Sequence, residues 1–432
     1  MDTLRLMELL QRNSDDPDNA VVKPNTMTYC MAIDAFGISA YQKSTSRKPI
    51  LRRKDKVLTP PVSDEDSYLN DDENDPYKDI ERAESILKYM HDLNDHGNYD
   101  VVPNVVAYNT IIAAYGRISS EKYPDATMLA ESVLRRMLEV SKKEGNNELS
   151  PDTRSYNGVI RCWANSKQNN SGARAEWWLR RMWDNYEEDN TMPDVNTYNS
   201  VILAFHNIGQ ASQSEKLLEE LLEMEERNKL KPNSETFSLV IRSWLQYVQS
   251  HQDSDVVHGC LRAYNWLSVL LKKEELGQDI SSSPELFSHL IKTIKIVSKT
   301  TQDKSLLNLA LKTFTKLKNS RHQLDVNSYQ SLLQIGLYTL TGQSNVEGQK
   351  KFINTIILSC ADDGFISKKI ISILSEISKK ENKEGIQIKP ICENYFSNWP
   401  LPNYWYRNVP QHSIPSKEDC LQFIDQYESD AL

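Results

Sequence analysis

Four stretches of the chain restate one phrase: "PNTMTYCM" at 24–31, "PNVVAYNT" at 103–110, "PDTRSYNG" at 151–158 and "PDVNTYNS" at 193–200. Recurrence constrains a fold more than any other sequence feature, because each copy must build the same local structure and stack on its neighbours. The aromatic of the phrase recurs at Tyr29, Tyr108, Tyr156, Tyr198, Phe237, Phe287 and Tyr329. Apolar residues follow three, four and often seven positions later: Ile111, Ile112 and Tyr115; Val159, Ile160 and Trp163; Val201, Ile202 and Phe205; Val240, Ile241 and Trp244. That spacing marks one face of an α-helix.

A second element follows most of these helices: "AESILKYM" at 83, "AESVLRRM" at 130, "AEWWLRRM" at 175, "SEKLLEEL" at 214, "AYNWLSVL" at 263 and "ALKTFTKL" at 310. Each unit is therefore a helical hairpin, and one hairpin cannot bury its apolar face alone. The expected fold is all-α, a right-handed α-solenoid of helix-turn-helix hairpin repeats with a concave groove. Six residues beyond the aromatic stand Ala35, Ala114, Cys162, Ala204, Ser243 and Thr293, small enough to let helix backbones approach closely.

The repeats divide the chain into residues 1–25, a partial repeat holding a second helix only; 26–345, about six to seven hairpins; and 346–432, a helical cap with an aromatic and proline-rich tail. "DTLRLMEL" near the start reads as the second helix of a hairpin, as in a truncated array. A disordered insertion is expected at 40–77, basic in its first half and acidic in its second. Its "RKPILRRKDK" has the composition of a nuclear localisation signal, but a solvated linker is the preferred reading.

Composition narrows the function classes. Six cysteines without C-x-x-C spacing argue against a disulfide framework or zinc ribbon, and no apolar run is long enough to span a bilayer. The first residues form neither a signal peptide nor an Arg-rich, acid-poor transit peptide. A formal net charge of -9 does not favour nucleic acid, yet binding confined to one face is insensitive to the total. The sequence lacks H-E-x-x-H, a deaminase-type H-x-E with C-x-x-C, and a glycine-rich phosphate loop. His91 and Asp95 sit at i and i+4, which a charged helix end explains better than a metal site. No catalytic site, metal or cofactor is expected.

The Pro-Asp and Pro-Asn pairs read as helix starts, with Asn104, Asp152, Asp194 or Asn233 as N-cap. The asparagine after the aromatic, at Asn109, Asn157 and Asn199, is harder to explain, since it costs about 0.6 kcal/mol against alanine inside a helix. Its counterparts Cys30, Ser238, Ser288 and Gln330 are small or polar, which predicts an exposed position on a common side. An amide there offers both a donor and an acceptor, as hydrogen bonding to an unpaired base requires.

In these motifs the chain resembles the pentatricopeptide repeat family, over about residues 1 to 340 and most strongly over 103 to 244. The resemblance implies a binder of single-stranded RNA, in which the residue after the aromatic and the last residue of the unit jointly read one base. Asn109 with Asp152 and Asn157 with Asp194 are then similar to uridine readers, Asn199 with Asn233 to a pyrimidine reader, and Ser288 with Asp325 to a guanine reader. Ser238 with Ser283 and Cys30 with Asn104 match no established pair. The implied target is a uridine- and pyrimidine-rich run, 5'-U-U-Y-x-G-3', its 5' end at the protein N-terminus. Arg117, Arg161, Arg242 and Lys292 are the expected phosphate contacts. Val106 and Met27 fit the aliphatic residue that flanks bases in the family, whereas Arg154, Asn196, Glu235 and Glu285 depart from it. Family membership further implies action on organellar RNA stability, processing or translation in the mitochondrion or chloroplast. A protein-interaction scaffold, suggested by the net negative charge, is the alternative, and protein partners are compatible with either.

Overall fold

The computed structural model describes residues 24–45, 75–144, 149–184, 191–227, 229–251, 255–301, 303–320, 325–339, 346–374 and 403–416. Most of the partial repeat expected at 1–25 (1–23), most of the insertion (46–74) and much of the cap and tail (375–402 and 417–432) lie outside them. Among the described residues there is no β-strand, only an isolated bridge between Ser120 and Tyr123. The chain divides into two compact units, Met1–Lys231 and Pro232–Leu432.

The first unit contains α1 (Thr26–Thr45), α2 (Pro76–Asp95), α3 (Val105–Ile118), α4 (Ala126–Glu144), α5 (Thr153–Ser166), α6 (Ser171–Asp184), α7 (Val195–Asn207) and α8 (Ala211–Glu226). The odd-numbered helices pack on one another in sequence, α1 on α3, α3 on α5 and α5 on α7, and each also packs on its own hairpin partner. The second unit repeats the scheme with α9 (Ser234–Ser250), α10 (Val256–Glu275), α11 (Pro284–Thr301), α12 (Lys304–Asn319), α13 (Val326–Thr339) and α14 (Val346–Asp362). There α9 packs on α11 and α11 on α13. Each unit is thus a short α-solenoid.

Burial follows the repeat. All seven anchoring aromatics are buried, as are the apolar residues three and four positions after Tyr108, Tyr156, Tyr198 and Phe237. On the second helices the same holds for Ala83, Ile86, Leu87 and Met90, and for Ala130, Val133, Leu134 and Met137. Ala114, Cys162, Ala204, Ser243 and Thr293 are fully buried, but Ala35 is exposed. In that hairpin the close approach is made two residues later, where a Cβ on Gly37 would lie 2.8 Å from the Cβ of Ala114.

The helix starts form as their residue types dictate. Asn104 accepts from the Ala107 N–H, and Asp152, Asp194 and Asn233 close reciprocal capping boxes with Ser155, Thr197 and Thr236. Polar ties also join successive first helices: the Asn165 amide donates to the Gly116 carbonyl at 3.1 Å, and the Asn207 amide to the Ala164 carbonyl at 2.7 Å. These satisfy carbonyls that the ends of α3 and α5 would otherwise leave orphaned.

Candidate functional site

The N-cap carboxylates are the natural starting point, because each sits where one repeat meets the next. Asp152 Oδ1 accepts three hydrogen bonds: from Ser155 N and Oγ, both at 2.9 Å, and from Asn109 Nδ2 at 3.0 Å. Asp194 Oδ1 repeats the arrangement with Thr197 N at 2.7 Å, Thr197 Oγ1 at 2.9 Å and Asn157 Nδ2 at 3.2 Å. Cys30 and Asn104 make the same junction with a thiol in place of the amide, Sγ to Oδ1 at 3.9 Å. Three of the residue pairs singled out in the sequence are therefore brought into direct contact, each across 37 to 74 residues of chain.

The junction fixes the amide. Nδ2 is held by the carboxylate, and the Oδ1 atoms of Asn109 and Asn157 are covered yet accept no hydrogen bond from the protein. One amide hydrogen also remains beyond that given to the aspartate, so each asparagine keeps a donor and an acceptor. Burial works against the Asp194 carboxylate, but hydrogen bonds from the backbone and hydroxyl of Thr197, from Asn157 and from Asn196 outweigh it and hold its pKa below the usual carboxylate range.

The expectation of exposure along a common side needs correction. Asn109 and Asn157 are half-buried, because the capping residue of the next repeat draws the side chain into the junction, and Asn199 is only 4% exposed. Asn199 lies in the first unit and Asn233, the N-cap of α9, in the second. In the second unit no hydrogen bond joins Ser238 to Ser283 among the described residues. The Ser238 hydroxyl donates to the Ser234 carbonyl of its own helix at 2.8 Å, and the Ser283 carbonyl closes the first turn of α11. Asp325 accepts from the Ser328 N–H at 2.9 Å and from the Asn327 amide at 3.2 Å, and no hydrogen bond joins it to Ser288 among the described residues.

Cations stand one helical turn beyond the position after the aromatic, on the same helix face. Arg161, Arg242 and Lys292 occupy it in α5, α9 and α11, and all three are exposed. Burial, then Arg242 and Lys292, push the His289 imidazole below its usual pKa, so both cations are near enough to act on it. Arg117 differs: its guanidinium is paired with Asp34 at 2.8 Å. Periodicity gives no sign of that pair, since its partners are 83 residues apart. Val106 and Met27 are 54% and 65% exposed, and Arg154, Asn196, Glu235 and Glu285 are exposed at the equivalent positions. His91 Nε2 lies 2.9 Å from the Tyr108 hydroxyl, which makes it a partner of the repeat aromatic.

Comparison with known proteins finds a repeat family similar to part of the chain. The model of the pentatricopeptide repeat domain matches residues 181–244. A pentatricopeptide repeat-containing protein of Arabidopsis thaliana is 25% identical over 142 residues, 32% of this chain and 21% of that protein. The chain thus aligns with about a fifth of that relative's length. Among solved structures, that of the pentatricopeptide repeat protein PPR10 in complex with an 18-nt psaJ RNA element is 13% identical, covering 88% of this chain and 56% of that one, with a TM-score of 0.29. The structure of PPR10 from maize is likewise 13% identical, covering 99% and 72%, with a TM-score of 0.19.

Proposed function

Since the chain belongs to the pentatricopeptide repeat family, we propose that it binds single-stranded RNA and reads uridine or pyrimidine at the junctions Asn109–Asp152 and Asn157–Asp194. The observation that carries this reading is the polarised amide: the aspartate holds Nδ2, while Oδ1 has no protein donor. Covering an acceptor without a partner costs roughly 1–3 kcal/mol, and an N–H on the edge of a base would relieve it once the side chain turns out of its cover. Uracil offers an N–H beside a carbonyl, the complement of the donor and acceptor that each asparagine retains.

Exposed Arg161, Arg242 and Lys292 supply positive charge on the same helix faces, as a sequence-independent phosphate contact needs. Val106 and Met27 offer apolar surface on which a base can rest. Ser288 with Asp325, both in the second unit, extend the reading to a guanine. Ser238 and Ser283, also in the second unit, carry no defined preference. By family the RNA is organellar, mitochondrial or chloroplast, and binding would act on its stability, processing or translation. Exposed Glu235 and Glu285 favour a second reading, in which the second unit serves as a scaffold for a basic protein partner.

Selection from a randomised RNA pool tests the proposal. Enrichment of two adjacent uridines, lost when Asn109 and Asn157 are both replaced by alanine, is the expected result. Enrichment of any other motif, or of none, would refute base reading at these junctions.

A further inference from the structure

Residues 403–416 fit no hairpin, and the structure shows what they do. They dock on the turn after α14: Ile366 N donates to the Trp405 carbonyl at 2.8 Å, Asn408 N to the Gly364 carbonyl at 3.0 Å, and the Arg407 guanidinium to the Asp362 carbonyl at 3.0 Å. Gly364 has φ +78, and a Cβ there would lie 2.8 Å from the Tyr404 carbonyl oxygen, so the docking depends on a glycine.

The docked segment turns the end of the array into an open cavity of about 1030 Å³. One wall is the start of α13, where Asp325 and Gln330 occupy the capping position and the position after the aromatic. The lining also carries Lys368, Lys369, Arg407 and His412. The two acids lining the cavity are already engaged, Asp363 by Lys318 at 2.8 Å and Asp325 by the Ser328 N–H and the Asn327 amide. Phe365, Val409 and Pro410 add apolar surface. A cavity that combines exposed cations, engaged acids and an apolar side suits a phosphate with a ribose and base attached.

We propose that this cavity binds the RNA strand just beyond the guanine assigned to Ser288 and Asp325, with Lys368 and Lys369 on its phosphates. The inference rests on the RNA reading above. It makes the tail part of the binding surface and extends the footprint past the last repeat.

Two RNAs test it, one ending at the guanine of a 5'-UUUUG core and one carrying three further 3' nucleotides. The extended RNA should bind the native chain roughly three- to tenfold more tightly, and Lys368→Ala/Lys369→Ala should abolish that gain while leaving the short RNA unaffected. The log-log salt slope for the extended RNA should fall by about 0.7 for each lysine removed. Equal affinity for both RNAs, or equal losses in the variant, would overturn the proposal. Calorimetry with inorganic pyrophosphate alone gives a readout independent of base recognition. Saturable binding lost in the double variant is expected, and its absence sinks the cavity even if the uridine preference holds. Pyrophosphate binding without any RNA binding overturns the assignment to an RNA strand and makes a free nucleotide the source of the phosphate.

Discussion

Replacing Asn157 by alanine separates reading a base from holding the fold. In the free protein Asn157 donates one hydrogen bond, to Asp194 at 3.2 Å, and leaves Oδ1 covered without a protein donor. A hydrogen bond to a charged acceptor contributes roughly 1.5–3 kcal/mol, whereas the unsatisfied acceptor costs about 1–3 kcal/mol. Alanine returns about 0.6 kcal/mol of helix propensity as well. These terms nearly cancel, so urea denaturation should show a stability change below about 1 kcal/mol. Binding has no such compensation: losing the amide should weaken a uridine-rich RNA by about 1–3 kcal/mol, roughly 5- to 150-fold. Fluorescence anisotropy and denaturation on the same preparation measure both. A variant that loses 2 kcal/mol or more of stability yet binds RNA as before would show the asparagine to be a structural tie.

Glu131 is 1% exposed and takes hydrogen bonds from Arg135, Arg174 and the Trp163 indole. Glu131→Ala should destabilise by about 3 kcal/mol, the low end for a buried pair because the arginines are partly screened by solvent; a loss under 1 kcal/mol in denaturant titration contradicts this. A Cβ on Gly172 would lie 2.4 Å from Phe205 Cδ1, against the ring that packs α7 on α6. Gly172→Ala should therefore cost roughly 1–3 kcal/mol despite its better helix propensity, and a rise in melting temperature would refute that packing. Asp194 has a depressed folded pKa, so its stabilisation is complete above the unfolded value of about 3.9 and is lost as pH falls through the lower folded value. Asp194→Asn should flatten that acid limb of the stability curve, and an unchanged limb would show that the carboxylate contributes nothing there.

The repeat phrase encodes the hairpins because its aromatic and branched residues are local instructions, each buried by the helix it builds. The capping residues are legible for the same reason, since Asp152 and Ser155 lie within one turn. What the phrase hides is contact between units. Asn109 reads as an exposed amide until Asp152, 43 residues on, is folded against it. Arg117 reads as a free cation until Asp34 is placed beside it. Ala35 misleads because Gly37 is the residue that meets α3. The tail has no periodicity, and its docking through backbone groups of residues 362–366 leaves no side-chain pattern to find.

The central claim is that the repeat junctions read uridine. Fluorescence anisotropy of the purified chain with a 5'-UUUUG-containing RNA and an A-rich control, across a salt series, tests it most directly. Tighter binding of the uridine-rich strand, with affinity falling as salt rises at a slope of about -0.7 per phosphate contact, is the predicted outcome. Equal binding of both strands, or binding of neither at low salt, would contradict it.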